Sequence, residues 1–243
     1  MIRADWNAPP HVTAFTTLRT GGVSLAGFES FNLAAHVGDD PDAVRDNRRI
    51  LAQASGWTEE PVWLEQVHGA DIVTIKGRRA AMPRADGAVT SLPSTALAVL
   101  TADCLPVLAC DRLGTVIGAF HAGWRGLLAG VLENGLAAMN RDAQELLVWI
   151  GPAIGAASYQ VGPEVRAAYL ESDPAHEQDF TGDGEGRWRF SLVGAAQRRL
   201  VRAGVSVAGG RWDTYRDADL FFSHRRQAPC GRMATVIRIE GKV

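Results

Sequence analysis

Residues 96–126 read ALAVLTADCLPVLACDRLGTVIGAFHAGWRG. Three short apolar runs of strand type lie inside this stretch, Leu97–Leu100, Val107–Cys110 and Val116–Phe120. Working outward, runs of the same kind occur at Val12–Leu18, Val62–Val67, Ile72–Ile75, Leu146–Ile150, Val205–Ala208 and Met233–Ile239. Helices are expected at Pro41–Ser55, with Asp40 as N-cap and Pro41 in the first turn, at Gly126–Asn140, at Pro163–Glu171, and at Leu192–Ala203 behind a Ser191 cap. They follow some strands and not others, which predicts a mixed α+β architecture instead of strict βαβ alternation. No repeat and no Pro- or Ser-rich linker divides the chain, so residues 1–243 are expected to form one domain. Ser172–Gly186, polar, acidic and without apolar periodicity, is expected to be a surface loop.

The 243 residues are 47% hydrophobic and 21% charged, enough to close a sizeable core, which excludes disordered and fibrous classes. Twenty-five Lys+Arg nearly cancel 27 Asp+Glu, so no global positive field holds a phosphate backbone and a nucleic-acid partner is not expected. Three cysteines in a chain this long fit a reducing cytoplasm better than a disulfide scaffold. Asp5 falls where a secretory apolar segment would begin, and Asp103 and Pro106 interrupt the most apolar stretch, so neither an export signal nor a membrane span is expected.

Three places share one local design, an apolar run ending in a metal ligand or nucleophile where the chain breaks: Val62–Gly69 with His68, Ala98–Pro106 with Cys104, and Ile117–Gly126 with His121. If these ends lie together, two imidazoles and a thiolate converge, a good ligand set for zinc. The separations of 36 and 17 residues are wrong for a zinc finger, whose ligands come in tight local pairs. Three protein ligands leave a fourth position for water, whose pKa on zinc falls from about 15.7 to roughly 7, the mark of a catalytic centre. Residue by residue the plainer alternative stays open: a buried cysteine is often a small hydrophobe, and a histidine often a hydrogen-bonded core residue. Cys110 and Cys230 lack the flanking pattern and are given that plain role.

Gly123-Trp124-Arg125-Gly126 opens the helix after His121, where glycines and free N–H groups favour an anion that Arg125 can grip bidentately. The spacing matches neither a P-loop nor a dinucleotide fingerprint. Arg19, Arg48 and Arg225-Arg226 are further cation candidates. From Arg187 to Arg226 nine arginines face three acids, an excess that fits either an anionic substrate or a solvated arginine face.

Taken in order, TLRTGGVS (17–24), Phe31-Asn32-Leu33, Asp46-Asn47-Arg48, Gln66-Val67-His68-Gly69, Ala85-Asp86-Gly87, Thr101-Ala102-Asp103-Cys104, His121–Gly126, Ile150-Gly151-Pro152 and Phe222–Arg226 resemble a bacterial family. It was formerly described as laccase-domain or polyphenol oxidase proteins, is now described as purine nucleoside phosphorylases, and is also called the peptidoglycan editing factor family. The resemblance runs from about Val12 to Ile239. It implies two packed mixed β-sheets flanked by helices in α/β/β/α layers, similar to the catalytic domain of a cytotoxic necrotizing factor, and one Zn2+ on His68, Cys104 and His121. It further implies phosphorolysis of adenosine, inosine, guanosine or methylthioadenosine, and adenosine deamination. Many relatives have a cysteine where this chain has Asp213, which bears on rate or specificity if that cysteine is active in them.

The expected partners are therefore a purine nucleoside and phosphate, bound by a monomeric cytoplasmic chain. Arg48 and Arg125 are expected to bind the phosphate and Asp103, the acid nearest Cys104 in the chain, to carry a proton. The main rival is a hydrolase acting on cytoplasmic peptidoglycan precursors, with Cys104 as nucleophile and His121 as base. Multicopper phenol oxidation needs more imidazoles than the six histidines present.

Overall fold

The computed structural model describes residues 1–77 and 82–241. Two stacked sheets form its centre. The larger runs Ser206–Gly209, Leu146–Ile150, Leu105–Asp111, Ile117–Ala122, Gly87–Thr90, Ile72–Thr74 across its width, with parallel pairs at both edges and antiparallel pairs between them. The smaller, Ile2–Arg3, Val12–Thr16, Met233–Ile239, Ala96–Thr101, is antiparallel throughout.

Every residue of Ala96–Thr101, Leu105–Asp111, Ile117–Ala122 and Leu146–Ile150 is buried. Covered on both faces, these strands read as continuous apolar runs and not as alternation. Leu97, Leu108, Ile117, Trp149 and Ile237 fill the gap between the sheets. Phe120, Val107 and Ile150 point the other way, against Leu132, Tyr169 and Leu200 from helices Val131–Ala138, Pro163–Ser172 and Leu192–Arg202. On the far side Phe15, Leu100 and Val236 meet Leu51 of helix Pro41–Ala54 and Trp57. The order is thus α/β/β/α, as expected, and Asp40 and Ser191 cap their helices through their side chains.

Three expectations need correction. Val62–Val67 is not a strand: only Val62 and Glu65 make isolated bridges, because the Gln66 side-chain amide takes both the N–H and the C=O of Leu100. The helix expected at Gly126–Asn140 is two pieces, Trp124–Leu128 and Val131–Ala138, broken where Gly130 adopts a left-handed φ of 90°. Within Ser172–Gly186 lie a 3-10 turn, Pro174–Asp179, and a strand, Phe180–Gly182, that pairs with Trp188–Phe190 in a third small sheet. Most of the segment is exposed as expected, but His176 and Asp179 are buried, His176 Nδ1 lying 2.7 Å from Asp179, which also accepts from Arg198.

Helix Val131–Ala138 packs against Phe120 through Gly135. A Cβ there would stand 2.6 Å from the ring. Alanine gains about 1 kcal/mol of helix propensity but must push a buried phenylalanine, at roughly 1–3 kcal/mol. Gly135→Ala should therefore melt several degrees below wild type; a higher melting temperature would refute this packing argument.

Candidate metal centre

The chain leaves the smaller sheet at Thr101 and enters the larger at Leu105, so residues 102–104 cross one end of the gap between them. Asp103 makes this crossing possible with φ 92°. Opposite Pro106 on the neighbouring strand is His121, which faces the same gap.

Asp86 organises the centre. It precedes strand Gly87–Thr90, pairs through its carbonyl with the His121 N–H, and is fully buried. Its carboxylate accepts from His121 Nδ1 at 2.8 Å and from the backbone N–H groups of Val67, His68 and Gly69 at 3.2, 2.9 and 2.6 Å. These hydrogen bonds outweigh the upward push of burial and hold its pKa down. A carboxylate at Nδ1 directs the other ring nitrogen of His121, Nε2, toward a ligand. The same carboxylate stabilises His68 in a left-handed conformation, φ 61°, which is costly for a non-glycine residue. Gln66, anchored on Leu100, sets the approach of this turn.

Cys104 Sγ lies 3.9 Å from His68 Nε2, and ligand atoms of His68, Cys104 and His121 all fall within 4.8 Å of one another. With Zn–N of about 2.0–2.1 Å and Zn–S of about 2.3 Å, tetrahedral ligands stand roughly 3.4–3.6 Å apart. Closing the widest of these separations takes a contraction of roughly 1.2–1.4 Å, and the exposed His68 side chain has room for it. The residues present thus fit zinc. Gly123 keeps the space open: a Cβ there would meet His68 Cδ2 at 3.0 Å and Cys104 Sγ at 3.1 Å.

Burial by itself would raise the Cys104 thiol, but hydrogen bonds and charge from His121, then His68, bring it down to about 6. Burial would lower His121; Asp86 and Cys104 together raise it to about 9. Without metal the pair is therefore thiolate and imidazolium from about pH 6 to about pH 9. Burial pushes Cys110 up to about 12 and also raises Cys230. Iodoacetamide should accordingly label only Cys104 in chelated protein, with a rate that rises through about pH 6, and zinc should suppress it. A rate rising near pH 9, or labelling spread over three cysteines, would contradict this electrostatic picture.

The other expected site residues have partners of their own. Asp103 adjoins Cys104, but its carboxylate accepts from the Thr214 hydroxyl and the Arg225 N–H, both at 2.7 Å. Arg125 is exposed, stacked 4.3 Å over Trp124. Arg48 lies 4.4 Å over Trp63 and spends Nε and an Nη on the Leu33 carbonyl. Asp213 is structural: it accepts from Gly155 N–H, Tyr215 N–H and the Ser158 hydroxyl. Two residues were given no role by sequence reasoning. Asp86 sat in a quoted motif without one. Tyr159, whose phenol is raised by burial and then by neighbouring Cys104, carried no signal.

Residues 13–240 match the family model described as multi-copper polyphenol oxidoreductase laccase. The chain belongs to this laccase family. Curated relatives include Purine nucleoside phosphorylase YfiH of Escherichia coli, 44% identical over 98% of both chains. A purine nucleoside phosphorylase of Pseudomonas aeruginosa is also 44% identical, again over 98% of both. Among solved structures, the laccase-family chain is similar to a Neisseria meningitidis protein with TM-score 0.95 and 43% identity over 99% of each chain. YlmD of Geobacillus stearothermophilus gives TM-score 0.87 at 31% identity, covering 96% of this chain and 93% of that one. No helix among the described residues of the laccase-family chain is long and apolar enough to cross a membrane.

Proposed function

We propose that the protein is a zinc-dependent purine nucleoside phosphorylase that also deaminates adenosine. The observation that carries this reading is the convergence of His68, Cys104 and His121 over a buried Asp86; similarity to relatives bearing the phosphorylase name supports it. Bound zinc would supply Lewis acidity beside the reacting atoms. In phosphorolysis the C1′–N9 bond breaks with its electron pair leaving on the purine, a phosphate oxygen bonds to C1′, and the purine takes up a proton. Positioning and electrostatics carry most of such a step. Arg125, exposed beside the centre, is assigned to the phosphate. Arg48, expected to share the phosphate, donates to the Leu33 carbonyl and lies over Trp63, and is assigned to that role through the Nη these ties leave. In deamination water adds at C6 and ammonia leaves, with the proton assigned to Asp103, which has to release the Thr214 hydroxyl or the Arg225 N–H to take it.

Metal analysis with a nucleoside panel tests the reading. Inosine and guanosine should yield base and sugar 1-phosphate only when phosphate is present, and adenosine should also release ammonia. Full adenosine turnover by verified zinc-free protein would defeat it. A second reading, a hydrolase acting on cytoplasmic peptidoglycan precursors, draws on the partly exposed, readily ionised Cys104 beside His121. Rapid alkylation of Cys104 in zinc-loaded protein would favour it, because a thiolate held by metal is a poor nucleophile. Copper oxidation of phenols fits less well, since one His/Cys group of ligand geometry is found among the described residues.

A further inference from the structure

The surplus of arginines between Arg187 and Arg226 is not spread evenly. Arg198, Arg199, Arg202 and Arg211 are neutralised by Asp179, Glu133, Asp173 and Asp5, acids from outside that segment. Arg226 is used up on the carbonyls of Thr214, Tyr215 and Phe221. Three others, Arg189, Arg216 and Arg225, line one pocket of about 270 Å³ together with Ala157, Ser158 and Tyr215.

The charge of this pocket is only partly compensated. Arg189 holds Asp183 at 2.8 Å and donates to the Ala157 carbonyl. Arg216 is 68% exposed and 3.8 Å from Asp213, whose carboxylate already serves Gly155, Ser158 and Tyr215. The Arg225 guanidinium has no carboxylate partner among the described residues; it donates to the Gln160 carbonyl and lies 5.3 Å over Tyr159. Three like charges around one concavity repel unless an anion joins them, and guanidinium forks match phosphate oxygens in pairs.

We propose that this pocket binds a phosphate group, either as free orthophosphate or as the ester of a nucleoside 5′-phosphate. Arg225 connects it to the metal centre, because the backbone N–H of the same residue holds Asp103, the neighbour of Cys104. The proposal is independent of the phosphorylase reading, since phosphate binding needs no turnover.

Calorimetric titration of the full-length, zinc-loaded protein with orthophosphate alone, and separately with adenosine 5′-monophosphate alone, tests it. At least one should bind, and Arg216→Gln and Arg225→Gln should each weaken that binding about tenfold, as expected for losing one charged hydrogen-bonding partner. Arg216→Lys should keep part of the affinity. Arg216 is exposed, so Arg216→Gln should melt like wild type and report on binding alone. The tighter of the two ligands identifies the source of the phosphate group. Unchanged affinity in both Gln variants, or no binding of either ligand to wild type, overturns the proposal. Phosphate binding weakened by Arg216→Gln in a protein that phosphorolyses no nucleoside would uphold the pocket and sink the activity proposed above.

Discussion

Cys104→Ala should purify with background zinc and convert inosine and adenosine at least ~10³-fold more slowly than wild type, the scale on which an essential catalytic group shows itself. The expectation follows from geometry. Sγ is the central donor of the set, within reach of both imidazoles, and the strand crossing that carries it has no second thiol. His68 and His121 alone leave a two-nitrogen site with Asp86 already committed behind it. Folding should survive, because the core clusters lie in the sheets and helices and a chain this long does not need a metal to close. The measurements are elemental analysis, kcat/KM on each nucleoside and a melting curve. Normal activity in an alanine variant shown to be zinc-free would remove Cys104 from the chemistry, whereas loss of zinc together with gross unfolding would reassign the ion to a structural role.

Asp86→Ala should be the most destabilising single change at the centre. The carboxylate is fully buried and serves three backbone N–H groups and one imidazole. Truncation strands all four donors and frees the His68 turn, whose left-handed backbone has no other support of this kind. A cost of about 3–5 kcal/mol is expected from losing one partner of a buried charged network. Metal affinity should fall by roughly 10–100-fold in Asp86→Asn, the usual penalty for losing the group behind a ligating histidine. Asparagine preserves the shape but turns an amide toward N–H groups that need an acceptor. Denaturant unfolding and competition with a zinc chelator separate the two effects. An asparagine variant with wild-type zinc affinity would show that Asp86 supports the backbone only.

Much of the fold was legible because burial on both faces leaves a plain trace. Ala96–Thr101, Leu105–Asp111, Ile117–Ala122 and Leu146–Ile150 have no polar side to hide, and Asp40 and Ser191 announce their helices through cap chemistry. Gly87–Thr90 was missed: four residues of small and mixed character carry no period. Val62–Val67 was misread because a strand-like composition says nothing about Gln66, whose side chain takes over the hydrogen bonds that a ladder would have used. Ser172–Gly186 was misread for a related reason. Its polarity does mark exposure for most of the segment, but no apolar period announces the turn and strand within it or the buried His176–Asp179 pair.

The candidate site divides in the same way. His68, Cys104 and His121 were recognisable one at a time, since each ends an apolar run with a group able to bind metal. That they meet is a property of the Thr101–Leu105 crossing between two sheets. The local sequence thus determined the strands buried on both faces, the helices with side-chain caps and the residues that carry ligand chemistry, because propensity, capping and donor type belong to the residues themselves. Only the tertiary structure decided that Asp86 stands behind His121 and His68, that Asp103 looks away toward Thr214 and Arg225, and that three scattered arginines share one pocket. Those relations depend on distances between parts of the chain far apart in order, which packing sets and no local pattern records.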